Sequence, residues 1–341
     1  MSADPQLPTR PLGRTGLAVS VIGSGNAPLG DLFARLDDRE AVATVERALA
    51  LGVNLVDTAP LYGHGLSEHR CATAIRRAGR ERVVLSTKVG RWIDPLRGQG
   101  DTSGFVGGTP HTAVFDYSYD GAMRSFEQSL LRLGTDRIDI LLIHDVDVWT
   151  HGADATEARF AEAMSGAYVA LDRLRGSGTV RAIGVGVNEA DMCERFARAG
   201  DFDTMLLAGR YSLLEQPALD SFLPLAEQKG IAMLLGGIFN SGILATGPVP
   251  GAKYNYRDAP PAIIEKVTAL DRVCAAHGVP LAVAALHFAL AHPAVASVVL
   301  GAQSPREVER NVGGFAHAVP PALWSDLKTE GLLGPDVPVP A

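Results

Sequence analysis

The sequence is poor in cysteine and has no excess of basic residues. Its 341 residues include three cysteines, Cys71, Cys193 and Cys274, which are odd in number and far apart. They offer neither a disulfide framework nor a Cys-x-x-Cys metal site, so we expect no bound metal and a reducing compartment. Lysine and arginine total 31 against 38 aspartates and glutamates, for a net charge of -7. This balance disfavours nucleic acid as the main partner.

Segments that would enter a membrane are also missing. The chain starts with MSADPQLPTR, which has an acidic residue and two prolines in place of the apolar stretch of a secretory signal. No uninterrupted apolar run reaches the length that crosses a bilayer. We therefore expect a cytoplasmic protein that uses no membrane, and the sequence leaves its oligomeric state open.

Short apolar segments instead alternate with segments of helical periodicity. Hydrophobic residues make up 47% of the chain, enough for a large core. Eight segments are typical of strands, at 19–22, 53–59, 82–89, 138–145, 180–187, 204–209, 231–237 and 297–302. Helical spacing is found at 40–51, 67–77, 120–133, 158–175, 190–199, 217–229, 261–277 and 281–291, and the last helix begins at 304–305.

This alternation indicates the fold class. Strands that are apolar on both faces and separated by helices are typical of a parallel sheet covered by helices. The pattern predicts an α/β protein, a single (β/α)8 TIM barrel over 1–341, with residues 1–9 flexible and an N-terminal β-hairpin. An open, doubly wound sheet is the alternative. The long irregular stretches 90–118 and 237–260 follow strands, so we expect long loops on the C-terminal face, where barrels bind ligands.

Ionisable residues stand where the predicted strands end. Asp57, Lys88 and His144 end three successive strands, and Tyr62 follows in the loop DTAPLYGHG. Each has an ordinary structural interpretation by itself, as an ion pair, a core histidine or a packing tyrosine. Together they suit proton transfer, because Asp57 can hold Lys88 and the ammonium favours a tyrosine phenolate. His144 can then orient a substrate oxygen.

The segments DTAPLYGHGLSE, LSTKVG and LLIHD resemble the aldo-keto reductase family, and the resemblance extends from the hairpin to SPREVERN. It implies an (α/β)8 barrel, a nicotinamide dinucleotide and a catalytic tetrad of Asp57, Tyr62, Lys88 and His144. The segments GSGNAPLGDLF, LAGRYSLLEQ and GGIFNSGIL are similar to the D-threo-aldose 1-dehydrogenase (L-fucose dehydrogenase) branch. Relatives of that branch include L-galactose dehydrogenase and pyridoxal 4-dehydrogenase.

The resemblance also implies an activity. We expect NAD(P)-dependent oxidation of the anomeric carbon of a free aldose, of the L-fucose, D-arabinose or L-galactose type, to the lactone, with Tyr62 as acid and base. Pyridoxal oxidation and general aldehyde reduction are alternatives, and a cofactor-binding regulatory subunit is an alternative of another class. For the wall of the substrate pocket we expect Trp92, Phe105 and Trp149.

The same resemblance assigns residues to the cofactor, namely Asn188, Gly237, Phe239, Ser241, Gly301, Gln303, Glu307 and Asn311. Asn188 is the counterpart of an amide that holds the nicotinamide carboxamide, and Phe239 replaces a stacking aromatic residue. Members that prefer NADP carry a lysine and an arginine where this chain has Gly301 and Glu307. We therefore expect NAD to be preferred over NADP, with the neighbouring Arg306 as the feature that argues for NADP.

Overall fold

The computed structural model describes residues 7–98, 100 and 102–340. Eight parallel strands form a closed barrel in which each strand pairs with the next along the chain: β1 (Ile22–Gly25), β2 (Leu55–Asp57), β3 (Val84–Val89), β4 (Ile140–His144), β5 (Ala182–Val187), β6 (Thr204–Ala208), β7 (Ala232–Gly236) and β8 (Val295–Gly301). Pairing of β8 with β1 completes the ring. The predicted (β/α)8 barrel is confirmed.

The first barrel strand begins later than the predicted segment 19–22. Val19 pairs instead with Arg10 in an antiparallel hairpin formed by Thr9–Pro11 and Ala18–Ser20. Because the backbone groups of this segment bond within the hairpin, the chain joins the barrel only at Ile22. Of the stretch predicted to be flexible, residues 1–6 lie outside the described residues, while Leu7 is buried in the core.

The hairpin closes the N-terminal end of the barrel. Leu12, Leu17 and Val19 are buried in one cluster with side chains from inside the barrel, among them Leu55. Gly13 has a φ of +53°, and a Cβ there would lie 2.6 Å from the carbonyl oxygen of Gly230. The turn therefore requires glycine. This apolar plug leaves the opposite end of the barrel open for polar side chains.

The described residues form thirteen helices: α1 (Asp38–Ala50), α2 (Leu66–Ala78), α3 (Tyr119–Leu133), α4 (Val148–His151), α5 (Ala153–Ser165), α6 (Ala167–Gly176), α7 (Ala190–Ala199), α8 (Phe222–Lys229), α9 (Ile243–Thr246), α10 (Pro261–Ala276), α11 (Leu281–Ala291), α12 (Pro305–Phe315) and α13 (Pro321–Thr329). The predicted helix 158–175 is interrupted at Gly166, where a Cβ would lie 2.5 Å from the carbonyl oxygen of Tyr117. A 3-10 turn, Pro217–Leu219, precedes α8, and α13 follows the helix that was predicted to be the last.

Most of the core lies between the barrel and the surrounding helices. No single helix in the described part of the chain is long and apolar enough to cross a membrane. Helices α10 and α11 reach that length and composition only as a pair, which is bent by 96°.

Both long loops contain ordered structure that the sequence pattern did not predict. In 90–118, Arg91–Asp94 pairs with Thr112–Phe115. In 237–260, α9 is followed by a pairing of Lys253–Tyr254 with Arg257–Asp258. These strands are too short to show a clear alternation of apolar and polar residues. The loops follow β3 and β7 and so lie at the C-terminal end of the barrel, as expected.

Candidate active site

Polar side chains from three neighbouring strands surround one cleft at the C-terminal end of the barrel. Asp57 is the last residue of β2, His144 is the last of β4, and Lys88 lies near the end of β3. The cleft has a volume of about 430 Å³, in the usual range for small-molecule sites. Tyr62, Lys88 and His144 line it, and Asp57 lies behind Lys88. The fold thus brings the four predicted catalytic residues together.

The buried cation of the site is Lys88. Its Nζ donates to Asp57 Oδ2 at 2.7 Å and to the carbonyl oxygen of Thr58 at 2.8 Å. Ser86 Oγ donates to the other carboxylate oxygen of Asp57 at 2.8 Å. Burial disfavours the ammonium, but Asp57 and Tyr62 together outweigh burial and raise the pKa of Lys88. Lys88 is therefore a fixed positive charge.

Tyr62 lies between Lys88 and His144. Lys88 Nζ is 4.7 Å from the centroid of the Tyr62 ring, and the His144 ring is 5.8 Å away at an interplanar angle of 82°. Burial raises the pKa of Tyr62 to about 12, although Lys88 acts in the opposite direction. This corrects the expectation that the ammonium would dominate, because desolvation of the phenolate is the larger effect. The phenol is protonated near neutral pH.

His144 is a neutral imidazole. Its burial, and then the charges of Arg91 and Lys88, lower its pKa well below the ordinary value. The backbone carbonyl of His144 accepts a hydrogen bond from Tyr117 Oη at 2.8 Å. A neutral imidazole has one N–H to donate, which suits it to hold an uncharged substrate oxygen.

Aromatic side chains form the outer wall of the cleft. Phe105 and Trp149 line it, and the Phe105 ring lies 5.9 Å from that of Tyr62. Trp92 does not belong to the described lining; its ring instead stacks under the Arg124 guanidinium, 3.5 Å from the ring centroid. Sequence reasoning missed two other aromatic residues of the lining, which lie in loops that carry no periodic signal: Phe33 and Tyr256.

A second charged pair lines the cleft beside His144. Arg91 Nη1 lies 3.0 Å from Asp145 Oδ2, and Asp145 Oδ1 lies 3.4 Å from His144 Nε2. Arg91 was not among the predicted site residues. A signal for it exists, since it follows Lys88 in LSTKVGR just beyond the end of a strand.

A smaller pocket adjoins the cleft, and residues after β5, β6 and β7 line it. Of the predicted cofactor residues it includes Asn188, Gly237 and Ser241. Asn188 also borders the main cleft, and both its backbone N–H and its Nδ2 donate to Asp147 Oδ2. Phe239 is absent from the described linings and packs against the core.

The chemistry of this pocket fits the amide end of a nicotinamide dinucleotide. Asn240 lines it, and Asn240 Oδ1 is buried with no hydrogen-bond partner among the described residues. Gly237 has a φ of +60°, and a Cβ there would lie 3.1 Å from the backbone nitrogen of Gly209. Asn240 Oδ1 is free to accept a hydrogen bond from an amide, and Gly237, which has no side chain, leaves space for a flat polar group beside the cleft.

The remaining predicted cofactor residues follow β8. Gly301 ends that strand and is exposed, and Asn311 Nδ2 lies 3.5 Å from its carbonyl oxygen. Glu307 takes part in capping the start of α12: its N–H donates to Oγ of the N-cap residue Ser304 at 3.3 Å, and its Oε2 accepts from the N–H of the preceding residue, Gln303, at 2.9 Å. One oxygen of this carboxylate is thus engaged by the helix, which the sequence interpretation did not include.

The fold and the cleft define a (β/α)8-barrel oxidoreductase, with a lysine–aspartate pair, a tyrosine and a neutral histidine at the ends of its strands. The sequence model of the Aldo/keto reductase family matches residues 21–329, and the chain belongs to this family. The predicted resemblance is thereby confirmed. Enzymes of this family use nicotinamide cofactors.

Particular relatives are similar over nearly the whole chain. Pyridoxal 4-dehydrogenase of Microbacterium luteolum is 42% identical over 336 residues, covering 95% of this chain and 97% of that protein. D-threo-aldose 1-dehydrogenase of Pseudomonas sp is 35% identical over 324 residues, covering 93% and 96%. Among solved structures, the holo form of aldo-keto reductase AKR11C1 from Bacillus halodurans is 25% identical, with a TM-score of 0.74, and covers 97% of this chain and 98% of that chain.

Proposed function

We propose that this protein oxidises a cyclic hemiacetal to its lactone with a nicotinamide dinucleotide, and that Tyr62 transfers the proton. The observation that carries the proposal is the convergence of Tyr62, His144 and the Lys88–Asp57 pair on one wall of the cleft. In a hemiacetal the reacting carbon bears both the hydrogen and the hydroxyl that such a site handles. Loss of a hydride from carbon and a proton from oxygen leaves the lactone carbonyl.

Each residue of the cluster has one task. Tyr62 accepts the hydroxyl proton of the substrate, and Lys88, fixed by Asp57, stabilises the resulting phenolate. His144 donates a hydrogen bond to the same substrate oxygen and orients it. A bound nicotinamide dinucleotide supplies the hydride acceptor. Asn188, Asn240 and Ser241 would hold its amide end, and the segment from Gly301 to Asn311 would hold its adenosine.

Two substrate classes are candidates. Pyridoxal comes first, because a relative with 42% identity is a pyridoxal 4-dehydrogenase and because the rings of Phe105 and Trp149 suit a flat heterocycle. Free aldoses of the L-fucose type come second, because the relative with 35% identity is an aldose 1-dehydrogenase. We further propose NAD as the preferred cofactor, a single barrel domain and a cytoplasmic location.

A substrate panel tests the proposal. Pyridoxal, L-fucose, D-arabinose, L-galactose and simple aldehydes are each assayed for oxidation with NAD and with NADP and for reduction with NADH and with NADPH, and products are identified by mass spectrometry. We expect a lactone from a hemiacetal substrate. An open-chain alcohol as the only product would favour aldehyde reduction, and cofactor binding without any turnover would favour a regulatory subunit.

A further inference from the structure

Arg91 is a buried arginine on the wall of the cleft. It begins the hairpin strand Arg91–Asp94 after β3, and its side chain is only 6% exposed. Its guanidinium carbon lies 4.2 Å from the centroid of the Phe115 ring, and its Nη1 lies 3.0 Å from Asp145 Oδ2. The proton transfer described above makes no use of this side chain.

The guanidinium retains unused hydrogen-bonding capacity. It has five N–H donors in a fixed plane. Nη1 is buried, yet no acceptor in the described part of the chain is aligned with it for a hydrogen bond. Asp145 compensates the charge at ion-pair distance without that alignment. Nη1 itself is buried beside Asp145, but Arg91 also lines the cleft, so a ligand oxygen there can accept from those of its N–H groups that are open to the cleft.

Asp145 is held in place between Arg91 and His144. Its backbone is left-handed, with a φ of 54°. Tyr117 Oη donates to the carbonyl oxygens of His144, at 2.8 Å, and of Asp145, at 3.2 Å. The Asp145 N–H donates to the Gly186 carbonyl oxygen at 2.9 Å. The two carboxylate oxygens therefore face different partners, His144 at 3.4 Å and Arg91 at 3.0 Å.

We propose that Arg91 and Asp145 recognise a substrate hydroxyl that flanks the reacting carbon, with Arg91 donating to its oxygen and Asp145 accepting a hydrogen bond from it. The inference rests on the proposed function. The Asp145 carboxylate lies directly between His144 and Arg91. When His144 holds the reacting oxygen, a hydroxyl on a neighbouring carbon of the substrate is therefore within reach of Arg91 and Asp145.

The matching substrates are cyclic hemiacetals with a free hydroxyl beside the reacting centre. In pyridoxal this is the ring hydroxyl at position 3, and in an aldose it is the 2-hydroxyl. Simple aldehydes lack it. A substrate without this hydroxyl would make neither the hydrogen bond from Arg91 nor the one to Asp145. Sites built to hydrogen-bond a hydroxyl discriminate strongly against analogues that lack it for this reason.

The test compares matched substrates. We measure kcat/KM for pyridoxal against 3-deoxypyridoxal and for L-fucose against 2-deoxy-L-fucose. The wild-type protein should prefer the hydroxylated member by at least about 100-fold in the pair that it oxidises, and that pair identifies the source of the hydroxyl. Arg91→Gln and Asp145→Asn should each reduce the ratio to less than about tenfold, because each slows the hydroxylated substrate far more than its deoxy counterpart.

Two kinds of variant keep the test interpretable. Arg124→Gln is the matched control, since Arg124 also stacks on an aromatic ring of this hairpin but lies outside the cleft, and its ratio should equal that of wild type. If Arg91→Gln fails to fold, Arg91→Lys and the doubly neutral Arg91→Gln/Asp145→Asn variant are measured instead, because neither leaves a lone buried charge.

Other outcomes would overturn the inference. They are a wild-type ratio near one, an Arg91 variant with an unchanged ratio, or an equal loss for both members of a pair. Failure of the wild-type protein to oxidise any hemiacetal would instead remove the proposed function itself, so the two failures are distinguishable.

Discussion

At the scale of single residues, the pKa of Tyr62 depends on two opposing effects. Burial raises it to about 12, and the nearby charge of Lys88 limits the rise. In the proposed mechanism the protonated phenol acts as an acid in the reductive direction near neutral pH, whereas oxidation requires the phenolate. The direction of the reaction and its pH dependence are therefore linked through this one side chain.

Tyr62→Phe should lower turnover by about 10²–10⁴-fold and leave dinucleotide binding nearly unchanged, because the ring still packs while the proton path is lost. Steady-state kinetics and a fluorescence titration with the dinucleotide measure the two effects. Tyr119→Phe is the control, since the Tyr119 hydroxyl contacts Arg173 on the helical layer. Retention of more than half of the wild-type kcat would remove Tyr62 from the mechanism.

The rate of oxidation should rise with pH across the neutral and alkaline range. Below a pKa of about 12 the phenolate fraction of Tyr62 grows roughly tenfold per pH unit, so the base form becomes more abundant as pH increases. Lys88→Met should lower activity and move this rise to higher pH, since the phenolate loses its neighbouring cation. An active Lys88→Met variant with the wild-type pH profile would show that Lys88 acts only in packing.

At the scale of elements, the start of α12 bears on cofactor choice. Glu307 is half-buried and caps this helix through the N–H of Gln303. Its position after β8 still places a negative charge where the resemblance locates the adenosine ribose. We therefore propose that the same side chain both caps the helix and disfavours a 2′-phosphate, two roles that substitutions can separate.

We predict that the wild-type protein prefers NAD over NADP by at least about tenfold in kcat/KM, or roughly 1.4 kcal/mol. Glu307→Arg should narrow or reverse this preference, because it replaces a repelling charge with a partner for phosphate. Glu307→Gln is the matched control, since the glutamine amide oxygen can still accept from the Gln303 N–H but carries no charge. A wild-type preference for NADP, or unaltered selectivity in Glu307→Arg, would contradict the assignment.

At the scale of the whole molecule, the N-terminal hairpin stabilises the barrel by filling its closed end. Leu12 is fully buried among side chains from several strands. Leu12→Ala should lower the free energy of unfolding by about 2–5 kcal/mol, as for other buried leucines. Leu131→Ala, at a position 83% exposed on α3, should change it by less than about 0.5 kcal/mol. Equal denaturation midpoints for both variants would show that the hairpin does not support the barrel.

The periodicity of the sequence determined the architecture. Buried parallel strands must be apolar on both faces and their helices amphipathic, so eight strand-helix alternations were visible without coordinates. Asp57, Lys88 and His144 were visible for a related reason, since an ionisable residue that interrupts an apolar strand marks the point where the strand leaves the core. Boundaries that depend on close contacts, such as the break at Gly166 against Tyr117, were not visible.

Only the tertiary structure decided what surrounds those strand ends. Phe33, Tyr256 and Arg91 reach the cleft from segments whose paths follow from turns, ion pairs and contacts between distant parts of the chain. The same holds for the pKa of Tyr62, where sequence reasoning identified the neighbouring ammonium but not the larger effect of burial. A local sequence pattern shows which face of a helix or strand is apolar. The desolvation of a side chain, and its contacts with residues from distant loops, depend on the fold of the whole chain.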